Sequence, residues 1–257
     1  MRERRAGPIT FLTFASLENE DWLVHGFSLR AGGGSTGPFA ALNLGAASGD
    51  DPARVSENQN IFMEALGIGG AALSVSRQVH GNRVLRAFSA KPPKQADGLI
   101  SGPEGPAVMV LGADCPLVIL ADRRSHAVAV VHSGRRSTQR HIVLKALELM
   151  RSGFATNPRD VLCGISPCIQ PGCYEVDEEC AEEFAGEFEG RFLWRERDAR
   201  PKLDLPAAIA WDLSGAGVEQ IESSSECVHC APGKFFSYRR DGPQTGRMGL
   251  VAFAKYH

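Results

Sequence analysis

Three short apolar runs, Ala107–Leu111, Leu117–Ala121 and Ala127–Val131, follow one another near the middle of the chain, separated only by Gly112-Ala113-Asp114-Cys115-Pro116 and by the polar turn Asp122–Ser125. Runs of this length, rich in Val, Ile and Leu and bounded by turn formers, predict core strands joined by tight connections. After His132 the pattern changes. Ser133-Gly134-Arg135-Arg136-Ser137-Thr138 is polar, and Ile142, Val143, Ala146, Leu147 and Met150 then share one helical face that closes at Gly153. The segment therefore reads as strand, polar loop, helix.

Elsewhere, Val55, Ile61, Phe62 and Leu66 recur at helical spacing from Pro52 onward, with Gly67 placed as a C-cap. The glycine-rich stretch from Ala31 to Pro38 predicts a loop, since consecutive glycines favour neither helix nor strand. Ser74–Val79 and Arg83–Phe88 read as strands flanking the turn His80-Gly81-Asn82, Val161–Ile165 and Gly249–Phe253 as further strands, and Glu178–Phe188 as a further helix. Strands and helices mix without strict βαβ alternation, which favours an α+β layered domain over a doubly wound one. No repeat or linker marks a boundary, so residues 1–257 are expected to form a single domain.

Composition narrows the function classes. With 28 basic against 30 acidic residues, the chain lacks the excess positive charge of phosphate-backbone binders, so a small-molecule partner is expected and no nucleic acid. No window approaches the roughly 18 consecutive apolar residues of a membrane span, and no apolar segment follows Met1-Arg2-Glu3-Arg4-Arg5 as it would in a secretory leader. A cytoplasmic location is expected. Seven cysteines, an odd number, argue against a disulfide framework and for thiols that are buried, catalytic or metal-binding.

Several constellations carry possible chemistry. His80, Cys115 and His132 each follow a strand-like run beside a turn former, where side chains can converge outside the core. Two imidazoles and a thiolate suit zinc and leave a fourth position open, although their wide separations also fit a buried cysteine and two surface histidines. Cys227-Val228-His229-Cys230 reads as half a zinc knuckle, a redox pair or two packing thiols. Gly134-Arg135-Arg136 at a helix start suits an anion such as phosphate or is simply solvated. Phe235-Phe236-Ser237-Tyr238-Arg239-Arg240 suits a stacked base with arginines nearby, or, more simply, an amphipathic strand with Phe235 and Ser237 on one side and Phe236 and Tyr238 on the other. Asp97, Asp114, Glu175 and Asp241 are carboxylates in these same segments and candidates for proton transfer.

In their order, these motifs resemble the laccase-domain family, also called multicopper polyphenol oxidase, YfiH-like or peptidoglycan editing factor, whose members are described as purine nucleoside phosphorylases. The matching segments are Gln78-Val79-His80-Gly81, Ala113-Asp114-Cys115-Pro116, His132-Ser133-Gly134-Arg135-Arg136 and Phe236-Ser237-Tyr238-Arg239-Arg240-Asp241-Gly242. Leu42-Asn43-Leu44-Gly45, Gly49-Asp50-Asp51 and Pro171-Gly172-Cys173-Tyr174-Glu175-Val176 match too, so the resemblance runs from about Gly26 to Phe253. It implies an α+β fold of mixed sheets flanked by helices in αββα-type layering, and one Zn2+ on His80, Cys115 and His132, with Cu2+ possible in vitro. It further implies phosphorolysis of adenosine, inosine and methylthioadenosine, together with adenosine deaminase activity. Where the family usually reads His-Ala-Gly-Trp-Arg-Gly, this chain has Ser133, Arg135 and Ser137 in place of the Ala, Trp and final Gly. It also has Gly172 where the family has the first of two paired cysteines.

On this resemblance His80, Cys115, His132 and Arg136 are the expected catalytic residues, with Arg136 on phosphate, and Asn43, Arg239 and Arg240 are expected to bind substrate. The partners are then purine nucleosides and inorganic phosphate, and the chain is expected to be a monomer or weak homodimer. Three rivals stand beside this reading: a cysteine-type amidase or hydrolase of peptidoglycan precursors with Cys115 as nucleophile, a copper-dependent polyphenol oxidase, and a zinc-binding module without turnover. A single His/Cys/His shell has too few ligands for the several coppers of four-electron oxygen reduction.

Overall fold

The computed structural model describes residues 1–89 and 95–255. In chain order the strands are β1 (Arg2–Ala6), β2 (Ile9–Thr13), β3 (Leu23–Ser28), β4 (Leu73–Val75), β5 (Val84–Arg86), β6 (Gly98–Ser101), β7 (Ala107–Gly112), β8 (Leu117–Asp122), β9 (Val128–His132), β10 (Val161–Ile165), β11 (Leu193–Trp194), β12 (Lys202–Leu203), β13 (Gln220–Ser223) and β14 (Met248–Ala254). The helices are α1 (Pro52–Ala65), α2 (Arg135–Gln139), α3 (Ile142–Phe154), α4 (Glu178–Glu187), α5 (Leu205–Gly215) and α6 (Tyr238–Asp241). Two six-stranded mixed sheets result, in the orders β1-β2-β3-β14-β7-β4 and β13-β10-β8-β9-β6-β5.

The central strands read as unbroken apolar runs because they are covered on both faces. Alternate residues go to opposite sides. Val108 and Val110 of β7 meet Leu117 and Ile119 of β8 and Val128 and Val130 of β9 in the core between the sheets. Met109 of β7 faces outward onto Phe62 and Met63 of α1. On the other outer face, Val118, Leu120, Ala129 and Val131 pack against Ile142, Val143, Leu147 and Met150 of α3 and Ile209 and Leu213 of α5. Helix, sheet, sheet and helix are therefore the layers, as the resemblance implies.

Several elements depart from the sequence expectations. The strand expected over Ser74–Val79 is only β4, because the Gln78 side chain leaves the ladder to bond Leu111 in both directions, Nε2 donating to its carbonyl and Oε1 accepting from its N–H, each at 2.7 Å. β5 is likewise three residues long and ends before Phe88, which is exposed. Helix α3 runs one residue past Gly153 and closes at Ala155 in the left-handed conformation. The expected strand at Phe235–Tyr238 is absent. Phe235 and Phe236 are both buried in the inter-sheet core, and Ser237 instead caps α6, its hydroxyl accepting from the Arg240 N–H and donating to Asp114 Oδ1 at 2.6 Å. The charged N-terminal stretch is β1, paired antiparallel with β2 and anchored by Arg2 and Arg4 on Glu18. No helix among the described residues is long and apolar enough to cross a membrane.

Gly164 of β10 lies at a close approach between elements on the inner face. A Cβ there would stand 2.6 Å from the ring of buried Phe14, whose backbone N–H is itself tied to His25 Nε2 at 2.9 Å. The ring has nowhere to retreat. Gly164→Ala is therefore expected to cost about 1–3 kcal/mol by overpacking, read from the midpoint of chemical denaturation. A change within experimental error would show that the Phe14 pocket yields.

Candidate active site and metal centre

Sheet register explains why residues far apart in sequence meet. Leu117 at the start of β8 pairs with His132 at the end of β9, so the turn before β8 delivers Cys115 beside His132. On the other side of β9, Gly98 pairs with Val131, which brings Asp97 opposite His132. His80 arrives from the loop between β4 and β5, held by the Gln78–Leu111 pair and by Asp97. One ligand atom from each of His80, Cys115 and His132 lies within 4.8 Å of the others. The two imidazole rings meet edge to face at 4.7 Å between centroids. His132 is buried, Cys115 half-buried and His80 exposed, so the cluster opens to solvent on one side.

Asp97 is buried and organises two of the three groups. Its carboxylate accepts backbone N–H bonds from Val79, His80 and Gly81, the last two at 2.8 Å, and sits 3.0 Å from His132 Nδ1. His80 adopts φ 57°, a left-handed backbone that costs a non-glycine residue about 1 kcal/mol or more. The convergent N–H bonds to Asp97 hold it there. With Nδ1 engaged, His132 presents Nε2 to the cluster, the carboxylate–imidazole arrangement that fixes a metal-ligating histidine.

The charges fit this geometry. Burial alone would raise the Cys115 thiol, but the His132 charge, its hydrogen bond and that of His80 bring it down to about 6. Burial would lower His132, yet the Cys115 thiolate and Asp97 hold it up at about 9. Between these values the metal-free site is a thiolate–imidazolium pair. Gly134 forms its floor: a Cβ there would lie 2.9 Å from Cys115 Sγ, 3.2 Å from the His80 ring and 3.6 Å from the His132 ring. Two imidazoles, a thiolate and an open side match the donor set of a three-ligand zinc site, so the residues present fit a metal.

The remaining expected residues take different positions. Arg136 is exposed on α2 and, among the described residues, its guanidinium makes no hydrogen bond or ion pair. It lines a cleft of about 520 Å³ with Arg135, Gln139, Arg140 and Glu183, in whose lining none of His80, Cys115 and His132 takes part. Arg135, at the family's Trp position, is engaged by Gln139 and Glu183, each at 3.0 Å. Arg239 donates its backbone N–H to Asp114 and its guanidinium to the Glu175 carbonyl, lying over the Tyr174 ring. The Arg240 guanidinium is occupied by the carbonyls of Val228, His229 and Phe235 and by Asp241. Asn43 is buried, accepts from the Gly45 and Arg247 N–H groups and donates to Ser48 and Asp50.

Among the candidate carboxylates, Asp114 anchors the turn that starts α6, and burial raises its pKa against the Ser237 and Arg239 bonds. Glu175 is exposed, and Asp241 pairs with Arg240. Two residues take places that the sequence alone does not assign. Gly134 as a floor leaves no signal beyond an isolated glycine. Arg247 lies half-buried within electrostatic reach of Asp114 and Cys115, and in the sequence it is marked by its place just after the Phe235–Gly242 segment of aromatics and arginines.

Two outcomes follow from this geometry. Gly134 has an extended backbone open to any residue, so Gly134→Ala acts through its Cβ alone. It is expected to weaken zinc binding about 10–100-fold, as disturbance of a supporting shell does, with little change in Tm. Unchanged affinity would mean that the cluster is not a metal site. Metal binding requires a neutral His132, which is protonated below about 9, beside a thiolate already formed above about 6. Zinc affinity should therefore rise about tenfold per pH unit across this interval, with roughly one proton released per zinc at pH 7.5. Calorimetry in buffers of different ionisation enthalpy measures this, and release near zero would contradict the ion pair.

The family model described as "Multi-copper polyphenol oxidoreductase laccase" matches residues 24–255. Among curated relatives, the purine nucleoside phosphorylase Rv2149c of Mycobacterium tuberculosis is 38% identical over 226 residues, covering 87% of this chain and 89% of its own. Among solved structures, the hypothetical protein YfiH of Bacillus licheniformis has a TM-score of 0.89 at 26% identity, covering 98% of this chain and 99% of that one. YlmD of Geobacillus stearothermophilus has a TM-score of 0.86 at 29% identity, covering 96% and 100%. With this agreement of sequence, fold and motif order, the chain belongs to the multi-copper polyphenol oxidoreductase laccase family, in its YfiH-like form.

Proposed function

We propose that this chain is a zinc-dependent purine nucleoside phosphorylase that cleaves adenosine, inosine and methylthioadenosine with inorganic phosphate, and that the same site deaminates adenosine. The observation that carries the reading is the convergence of His80, Cys115 and His132 on one point with an open side. Relatives bearing the phosphorylase name across nearly the whole chain support the substrate class. When bound, zinc supplies Lewis-acid polarisation at the open position. Asp97 keeps His132 in one orientation, and His80, the exposed member, stands nearest solvent.

Phosphate needs a cation free to receive it. Arg136 lies on the helix that follows His132, and among the described residues its donors are uncommitted, whereas those of Arg240 are bound to backbone carbonyls and Asp241. Its planar donors suit the oxygens of phosphate. Arg240 and Asn43 then act by positioning, Arg240 by bracing the segment that carries Arg239 and Asn43 by holding Arg247.

The test is a product assay on adenosine with and without phosphate. Adenine plus ribose 1-phosphate marks phosphorolysis, and inosine marks deamination. Arg136→Ala should raise the phosphate concentration required about tenfold or more, the effect of losing a charged hydrogen bond, while leaving deamination nearly unchanged. Equal loss of both activities would show that Arg136 organises the pocket instead.

One observation favours a second reading. The Cys115 thiolate, the His132 imidazolium and Asp97 on Nδ1 also form the nucleophile, base and orienter of a thiol hydrolase, for which peptidoglycan precursors are the substrate class. A hydrolase of that kind survives a chelator and is killed by an alkylating agent, whereas the zinc enzyme is silenced by the chelator and restored by zinc.

A further inference from the structure

We propose that Cys173, Cys227, His229 and Cys230 form a second metal site, a Cys3His set for one structural zinc ion that pins the segment around Cys173 to the turn 227–230. It shares no residue with the His80, Cys115 and His132 cluster and stands apart from the nucleoside chemistry.

Three of the ligand atoms are already gathered. The sulfurs of Cys173 and Cys230 and a ring nitrogen of His229 lie within 4.8 Å of one another. The two sulfurs are 3.3 Å apart. That is far beyond the roughly 2.05 Å of a disulfide and near the roughly 3.8 Å that separates two sulfurs on one tetrahedral zinc with 2.3 Å bonds. The fourth ligand is Cys227, three residues before Cys230 in a Cys-x-x-Cys turn, the spacing at which two cysteines share one zinc; its sulfur stands outside the 4.8 Å group and closes on the ion only when one binds.

The Gln170 N–H reaches the Cys227 sulfur from the other segment at 3.5 Å, which ties the turn 227–230 to the segment that carries Cys173. His229 adds an independent sign, because its Nδ1 is buried and has no hydrogen-bond partner among the described residues. A buried ring nitrogen left unpaired carries a desolvation cost that an ion at the centre of the cluster would offset.

The scaffold is built without the ion. Cys168 and Cys227 form a parallel bridge, the Val228 N–H donates to the Cys168 carbonyl at 3.1 Å, and Arg240 grips the carbonyls of Val228 and His229. Zinc suits this set because it accepts three thiolates and an imidazole tetrahedrally, with no open position and no redox step. The segment so pinned continues into Tyr174 and Glu175, which hold the guanidinium of Arg239.

Metal stoichiometry tests the proposal on the full chain, reduced, equilibrated with zinc and desalted. The wild type should carry two zinc ions, and Cys173→Ser/Cys230→Ser and Cys115→Ser/His132→Ala one each. If the serine variant fails to fold, cobalt titration of the wild type serves instead. Two phases are expected, one with about threefold the thiolate charge-transfer absorbance of the other, following its three sulfurs against one. Saturation of the wild type at a single equivalent that Cys115→Ser/His132→Ala abolishes would overturn the second site. So would a Cys173–Cys230 disulfide that forms in air despite saturating zinc. None of these readouts uses turnover, so a failure of the nucleoside reading leaves the result intact.

Discussion

The buried carboxylate of Asp97 is the contact on which the candidate active site depends. A single side chain collects the N–H groups of Val79, His80 and Gly81 and, at 3.0 Å, the Nδ1 of His132. It thereby joins a loop to a strand end, holding the His80 backbone and the His132 imidazole. A charge buried this way is tolerable only because all its bonds are made. Its pKa shows the balance: burial pushes it up, but the His132 and backbone bonds bring the carboxyl below its usual range. The rigidity of the site and the ionisation of its anchor are one and the same property.

Much of the fold was legible because the sheets are buried on both faces. The runs that became β7, β8 and β9 read as continuous apolar segments, and the turns between them were marked by Gly, Pro and Asp. Helices α1 and α3 were visible from their periodicity. Where side chains overrule periodicity, the sequence misleads. Gln78 mimics a backbone partner for Leu111 and cuts a strand short, and Ser237 turns an alternating aromatic run into a helix cap. β1, β2 and β3 went unread, since their alternation is weak beside the charged residues around them.

The site was legible as chemistry but not as geometry. His80, Cys115 and His132 stood out as metal-type residues at strand ends, and only the pairing of Leu117 with His132 and of Gly98 with Val131 explains how they meet. The arginines show the converse. Adjacent Arg239 and Arg240 look equivalent in sequence, yet one faces solvent over Tyr174 and the other is enclosed by carbonyls. No pattern of residue types distinguishes them, because the difference lies in which backbone oxygens happen to lack partners.

The position of β14 has a consequence for how the protein is made. This strand lies between β3 and β7, so it closes the first sheet although it follows both of them far along the chain. Until it is inserted, β3 and β7 face each other across a gap, and their open edges can pair with the wrong chain. Closing that layer thus requires a non-local pairing, of the kind that slows assembly.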